Sequence, residues 1–330
     1  LKEISWGAVF IGSAIIIIIN FILIFLLKEK NSKSQLKSVE TPPLIPSYIP
    51  RTPFKVGIEG RIEVPILILR KTIQNLLKPQ LLIFVVLMTG FTIIYMQFYE
   101  TLPNFIYDWT DSSQLAKTLH LPTFMLSATS RGTMLSYEWF YNLNAGLIII
   151  GVVFVAWAFS KKASLKVLSL GIIFASIGLF LCGLSSSGYL MFGGIIIYTF
   201  GEMTTNPRFA DYMGKLAPEN EKSLYMSYLN IPLALGLGGG SLLGGYLYKH
   251  FAEKANLALL YLNEHYNNLQ NISLTNSMNI LQKATRLDST SATQLLWNTY
   301  QPFKIWIPFL VIGIISSLGL LVYSRNVNKK

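Results

Sequence analysis

An all-α, polytopic membrane bundle is the fold class that this sequence predicts, and three observations carry the prediction. Hydrophobic residues make up 52% of the 330-residue chain against 13% charged, a balance unlike that of ordinary soluble domains. The apolar residues fall in blocks near the ~20 residues that a helix needs to cross a bilayer. Lys and Arg gather between those blocks, so the formal net charge of +11 describes topology and calls for no nucleic-acid partner.

Seven blocks qualify as transmembrane helices: 5–27, 80–105, 143–160, 167–184, 187–213, 225–248 and 304–324. If they alternate in direction, nineteen of the 27 Lys and Arg fall on one side, in 28–79, 161–166, 208–222 and 325–330. That side, and with it the carboxyl terminus, is expected in the cytoplasm.

The first span has Asn20 as its one polar side chain after Ser13 and is closed by Lys28 and Lys30. A cytoplasmic linker, 28–79, follows. It is polar to Glu40, proline-rich from Pro42 to Pro53, and ends in an apolar and basic stretch, Ile66–Lys78, that suits a helix at the membrane interface. The second span ends in Tyr95-Met96-Gln97-Phe98-Tyr99-Glu100-Thr101-Leu102-Pro103, and Pro103, which has no amide hydrogen, should kink or stop it. Residues 106–142 are expected outside, with interfacial aromatics. Short connections make the third, fourth and fifth spans antiparallel neighbours, and the small residues of the fourth (Gly171, Ala175, Ser176, Gly178) suit close packing. The sixth span carries Gly236-Leu237-Gly238-Gly239-Gly240. After it, 249–303 is too polar to span and reads as an external helical lid.

Chemistry concentrates where polar groups enter these apolar blocks, because lipid offers them no partners. Glu202 lies about 14 residues into the fifth span, roughly 21 Å along a helix. A carboxylate there either pairs with a cation, such as a substrate ammonium, or takes up a proton. The alternative is a helix ending at Thr204 with Glu202 at the interface. Asn206 and Pro207 either open the helix or simply kink it. Tyr95, Gln97, Asn144 and Asn230 are further candidates to line a solute path, although hydrogen bonds between spans account equally for such residues. Cys182 reads as a packed thiol. His120, His250 and His265 have no metal-ligand spacing, and no nucleophile, phosphate-loop or dinucleotide motif occurs, so neither an enzyme nor a cofactor is expected.

An inverted three-helix repeat fits spans two to four and five to seven. Ile93-Ile94-Tyr95 followed by Glu100 and Pro103 matches Ile196-Ile197-Tyr198 followed by Glu202 and Pro207, and Asn144 matches Asn230.

The stretch Glu138-Trp139-Phe140-Tyr141-Asn142-Leu143-Asn144 and the segment from Gly201 to Gly236 resemble the major facilitator superfamily, and more narrowly its proton-dependent oligopeptide transporters. Gly201, Glu202, Pro207, Lys215-Leu216-Ala217-Pro218, Ser223, Met226, Ala234 and Gly236 fall at matching spacing. Ala145, Asn206, Ser227 and Leu229 depart from the pattern. The resemblance implies that the spans are helices six to twelve of a twelve-helix carrier, with 80–330 its carboxyl-terminal half, and that an amino-terminal half is missing. It also implies that Glu202 contacts a peptide amino terminus, that Asn144 lines the same cavity, and that H+ is the coupling ion. The expected location is the bacterial inner membrane and the expected partners are the bilayer and a small solute or peptide. The alternatives are a carrier of sugars, nucleosides or drugs, or a membrane binding or assembly protein without transport. A retinal-type receptor is excluded, because 305–324 has no Lys.

Overall fold

In the computed structural model of the protein, residues 69–266 and 273–327 are described. The expected span 5–27 and most of the linker 28–79 lie outside them. Residues 69–76 are helical (α1), within the stretch expected at the interface. Lys78 is extended (φ −63°, ψ 123°), as a residue before proline must be, and Pro79 opens α2 (Pro79–Glu100) where its missing amide hydrogen costs nothing. Thr101 stays helical, but Pro103 cannot bond the Tyr99 carbonyl, and the chain restarts as α3 (Leu102–Trp109).

A short helix α4 (Ser113–Thr118) and a hairpin of β1 (Leu126–Thr129) and β2 (Gly132–Leu135) lead to α5 (Tyr137–Ala158). The third span therefore begins six residues before the expected 143. Ser136 is extended and Glu138 stands in the first turn, where the exposed amides of the helix start favour an acid. Next come α6 (Ser164–Leu184) and α7 (Gly188–Leu216). The expected single span 225–248 is instead a short α8 (Lys222–Ser227), a bend at Tyr228-Leu229 and a long α9 (Asn230–Phe251). Three helices, α10 (Lys254–His265), α11 (Ser277–Thr285) and α12 (Ser289–Tyr300), form a cap, and α13 (Trp306–Val327) closes the bundle.

Among the described residues, five helical segments are long and apolar enough to cross a membrane, including α2, α5, α6 and a stretch that contains α9. The fifth contains α13. α7 is longer than any of these single helices, at 29 residues, and its glutamate, threonines and glycines lower its hydropathy. It is held between α5 and α6 as part of the same bundle.

The pairing of helices has an internal symmetry. α2 packs on α9 and on α13, while α7 packs on α5 and on α6. Exchanging α2-α5-α6 with α7-α9-α13 maps one set of pairs onto the other and maps the α6–α13 pair onto itself. At that self-paired crossing Ser169 donates to the Ser317 carbonyl (3.0 Å) and Ser317 donates to the Ser169 carbonyl (2.9 Å). Reciprocal bonds of this kind are what a local two-fold axis between antiparallel helices produces.

Small residues set the helix separations. A Cβ on Gly178 would meet the Tyr198 backbone nitrogen at 2.2 Å, so only glycine lets α6 and α7 come together there. Gly236, Gly240 and Gly244 are the buried glycines of α9 and face α2, whereas Gly238, Gly239 and Gly245 face open space.

The cap is pinned to the bundle through aromatic residues. The Trp109 indole donates to the Ala252 carbonyl (2.7 Å), and Trp109 and Phe105 pack on Trp297 and Trp306. At the far end α1 holds the bend between α7 and α9: Lys71 pairs with Glu221 at 3.0 Å, and Asn75 donates to both Glu221 and Tyr228.

Candidate functional site

Glu202 sits near the middle of α7 and is 3% exposed. The helix runs on through Pro207 to Leu216, so the alternative of an end at Thr204 falls away and Glu202 stands inside the bundle. Its carboxylate accepts a hydrogen bond from Asn144 Nδ2 on α5 at 3.0 Å. The same amide nitrogen donates to Thr199 Oγ1 at 2.9 Å, and the Thr199 hydroxyl in turn donates a hydrogen bond to the Ile195 carbonyl. Both hydrogens of the Asn144 amide are thus used within α7, which fixes the direction in which it faces the carboxylate. Among the described residues no Lys or Arg lies within ion-pair distance of Glu202.

Aromatic side chains from three helices surround this pair. Tyr95 and Tyr99 on α2 lie beside the carboxylate, with their rings 5.2 Å apart. Phe98 stacks on Tyr198, with centroids 4.3 Å apart and planes within 3°. Tyr141 on α5 donates to the Phe98 carbonyl (2.8 Å), and Tyr198 on α7 donates to the Tyr95 carbonyl (3.3 Å). The site is a buried acid held by an amide and walled by rings, of which Phe98 and Tyr198 are enclosed while Tyr99 is 41% exposed.

The structure therefore brings together Glu202, Asn144 and Tyr95 and leaves the other sequence candidates elsewhere. Gln97 is fully enclosed against α9: it donates to the Gly240 carbonyl (3.0 Å) and accepts from Thr101 (2.6 Å). Asn206 and Pro207 are exposed on an unbroken helix, one turn beyond Glu202. Asn230 is the exposed first residue of α9 and donates to the Ser227 carbonyl. Pro103 divides α2 from α3, as its chemistry requires. Sequence reading passed over Tyr99, Tyr141, Tyr198 and Thr199. The four-residue spacing of Tyr95 and Tyr99, which puts both rings on one face of α2, was a usable signal.

A second polar feature lies at the cap end. A cavity of about 630 Å³ is lined by Glu100, Asp108, Ser241, Tyr248 and Glu253 among others. Ser241 on α9 donates to Glu100 on α2 at 2.6 Å, and Tyr248 donates to Asp108. Beside it Lys254 stands 5.5 Å from the centre of the Trp109 ring. Burial, with Arg131 close by, pushes this lysine down to about 7, against a smaller opposing pull from Asp108.

No curated protein matches the chain. The sequence profile of the Major Facilitator Superfamily matches residues 1–241. That match covers α2 to α8 and about half of α9, including Asn144 and the buried acid Glu202 just described, and stops before α13. The chain belongs to the Major Facilitator Superfamily of secondary transporters.

Proposed function

We propose that this chain is the carboxyl-terminal half, helices six to twelve, of a proton-coupled symporter that moves peptides or similar small amine-bearing solutes by alternating access. The observation that carries the reading is Glu202, a carboxylate in the middle of a spanning helix with an amide donor and no cationic partner among the described residues. A group in that position is stable when it holds a proton or a cation, so Glu202 can take the solute ammonium while the co-transported H+ is carried on another acid of the intact carrier. The ring faces of Tyr95 and Tyr99 add attraction for an ammonium.

A second helical half fits against this one. α9 presents Leu242, 78% exposed, beside Gly238, Gly239 and Gly245, whose outer faces are open. Small residues on an exposed helix face allow another helix to approach closely. The surplus of Lys and Arg at the α1 and α8 end supports a cytoplasmic location for that end.

The test is uptake of dialanine by the intact carrier in proteoliposomes under an inward H+ gradient. Glu202→Gln keeps the shape and a hydrogen-bonding partner for Asn144 but removes the charge, so gradient-driven uptake should be lost. Uptake by that variant at the native rate would remove Glu202 from the mechanism. If the native carrier moves no dialanine but does move an uncharged sugar, the solute assignment fails and transport stands.

A further inference from the structure

The described chain holds a second, wholly different cavity. It has a volume of about 360 Å³ and lies where α4 and the hairpin fold over the flank of α5. Leu115, Leu121 and Met125 form one wall, and Leu143, Leu147 and Ile150 of α5 form the other. Apart from Asn142 and the indole of Trp139, its lining is hydrocarbon and one methionine sulphur. Phe192 of α7 closes its floor.

We infer that this cavity is a binding site for one hydrocarbon tail of a membrane phospholipid. Continuity with the membrane surface of the bundle is the first argument. Ile150 lines the cavity and is itself 71% exposed, next to Ile149 at 78% and Val153 at 70%. The opening thus leads along an apolar flank of α5, and on α7 Ile196, one turn on from the lining residue Phe192, is 40% exposed. This flank is not the one that faces the solute site, where Tyr141 and Asn144 are turned toward α2 and α7.

The second argument is chemical. An apolar cavity of this size gives water too few hydrogen-bond partners, and an empty one forfeits dispersion contacts along its walls. A tail entering from the bilayer restores those contacts without leaving a hydrocarbon medium. Asn142 and Trp139 lie on the turns of α5 nearest the cap, where headgroups begin and where amphipathic rings are favoured. The tail would lie against the turn of α5 that contains Leu143, the neighbour of Asn144. It would therefore brace the helix that positions the Glu202 hydrogen bond.

Gly146 supplies the test. It lines the cavity, and a Cβ built there meets nothing within 4 Å, so a large side chain can fill the space without displacing the fold. Replacing a helical glycine also favours the helix. The intact carrier and its Gly146→Phe variant are extracted in mild detergent, and retained phospholipid is counted by native mass spectrometry. The native protein should keep a phospholipid that the variant loses. In parallel, both are placed in vesicles of phosphatidylcholine with brominated tails. Trp139 emission, isolated by difference from Trp139→Phe, should be quenched in the native protein and recover in Gly146→Phe. Equal lipid retention and equal quenching in the two proteins would overturn the inference. So would a native protein that retains no lipid and shows no quenching, since another segment or an apolar part of the solute would then fill the space. Should Gly146→Phe fail to insert, Gly146→Leu carries the same comparison.

Discussion

Replacing Asn144 by alanine probes the hydrogen bonding of Glu202 more selectively than replacing Glu202 itself. The amide bridges two acceptors on α7, Glu202 at 3.0 Å and Thr199 at 2.9 Å. A hydrogen bond to a charged group contributes about 1.5–3 kcal/mol, and one between neutral groups about 0.5–1.5 kcal/mol. If the Asn144 bond fixes the carboxylate for an incoming ammonium, Asn144→Ala should raise the apparent KM for dialanine uptake about ten- to hundredfold, at about 1.4 kcal/mol per factor of ten. Thr199→Val breaks only the neutral bond. It leaves the bond to Glu202 in place with its donor less firmly oriented, so its effect should be about two- to tenfold. The order of the two variants is the sharper result. The assay is initial-rate uptake in proteoliposomes, with thermal melting to confirm that both variants fold. Two folded variants with the native KM would refute the claim that this pair orients the site, and so would a larger effect from Thr199→Val than from Asn144→Ala.

The crossing of α6 and α13 allows a double-mutant cycle on Ser169 and Ser317, each of which donates to the other's carbonyl. The carbonyls survive truncation, so those two bonds are lost independently, but the hydroxyls also lie 2.6 Å apart. Hydrogen bonds between membrane helices average about 0.6 kcal/mol, so Ser169→Ala and Ser317→Ala should couple by about that amount in unfolding measurements; strictly additive losses would mean that the hydroxyl–hydroxyl contact contributes nothing. In the cap, Lys254 is pushed down to about 7 from an ordinary 10.5. Between those values the unfolded cap binds a proton that the folded cap lacks, so cap stability should rise with pH from about 7 upward, by at most about 1.4 kcal/mol per pH unit. Below about pH 7 both states carry the charge and the slope vanishes. Lys254→Met should abolish the rise in hydrogen-exchange protection of α10, and a slope that survives this change would assign it to another group.

The membrane class, the length of most spans and the helical character of the cap were legible because each depends on local composition. Long apolar blocks leave a chain no other way to satisfy its backbone in lipid. Pro103 was legible because its missing amide hydrogen acts on its own helix, but α7 runs unbroken through Pro207, so the same chemistry does not by itself decide where a helix ends. Boundaries were less so. α5 starts at Tyr137 because Glu138 and the aromatics after it tolerate a helix that reaches past the apolar block, which hydropathy does not register. The roles of Gln97 and Asn144 could not be separated at all. Both are amides inside spans, and only the neighbour decides: Gln97 meets backbone carbonyl and Thr101, while Asn144 meets an acid. Tyr99 gains its place from α7, more than a hundred residues away in the chain. Such pairings are tertiary facts, and no window of sequence contains them.

The mirrored pairing gives this distinction a structural meaning. Glu100, the last residue of α2, and Glu202, near the middle of α7, match in the sequence around them, and each accepts a hydrogen bond from the parallel neighbour of its helix, Ser241 on α9 for one and Asn144 on α5 for the other. Asn230, the sequence match to Asn144, takes no part; the serine eleven residues along α9 does. The two crossings nevertheless differ in how they are filled. Along α2 and α9 the glycines bring the backbones together and Gln97 bridges directly to the Gly240 carbonyl, so the helices are locked and Glu100 is left at the edge of the cap cavity. Along α7 and α5 no glutamine bridges the backbones, Gly151 touches only the flexible end of Met203, and the contact rests on side chains that end in Asn144 and Glu202. A crossing held by backbone and glycine resists sliding, while one held by an amide and a carboxylate changes its strength when the carboxylate gains or loses a proton or a cation. Of the two related joints, the α5–α7 joint is therefore the one whose packing depends on the charge state of a buried acid. It is also the joint that the aromatic wall of α2 encloses.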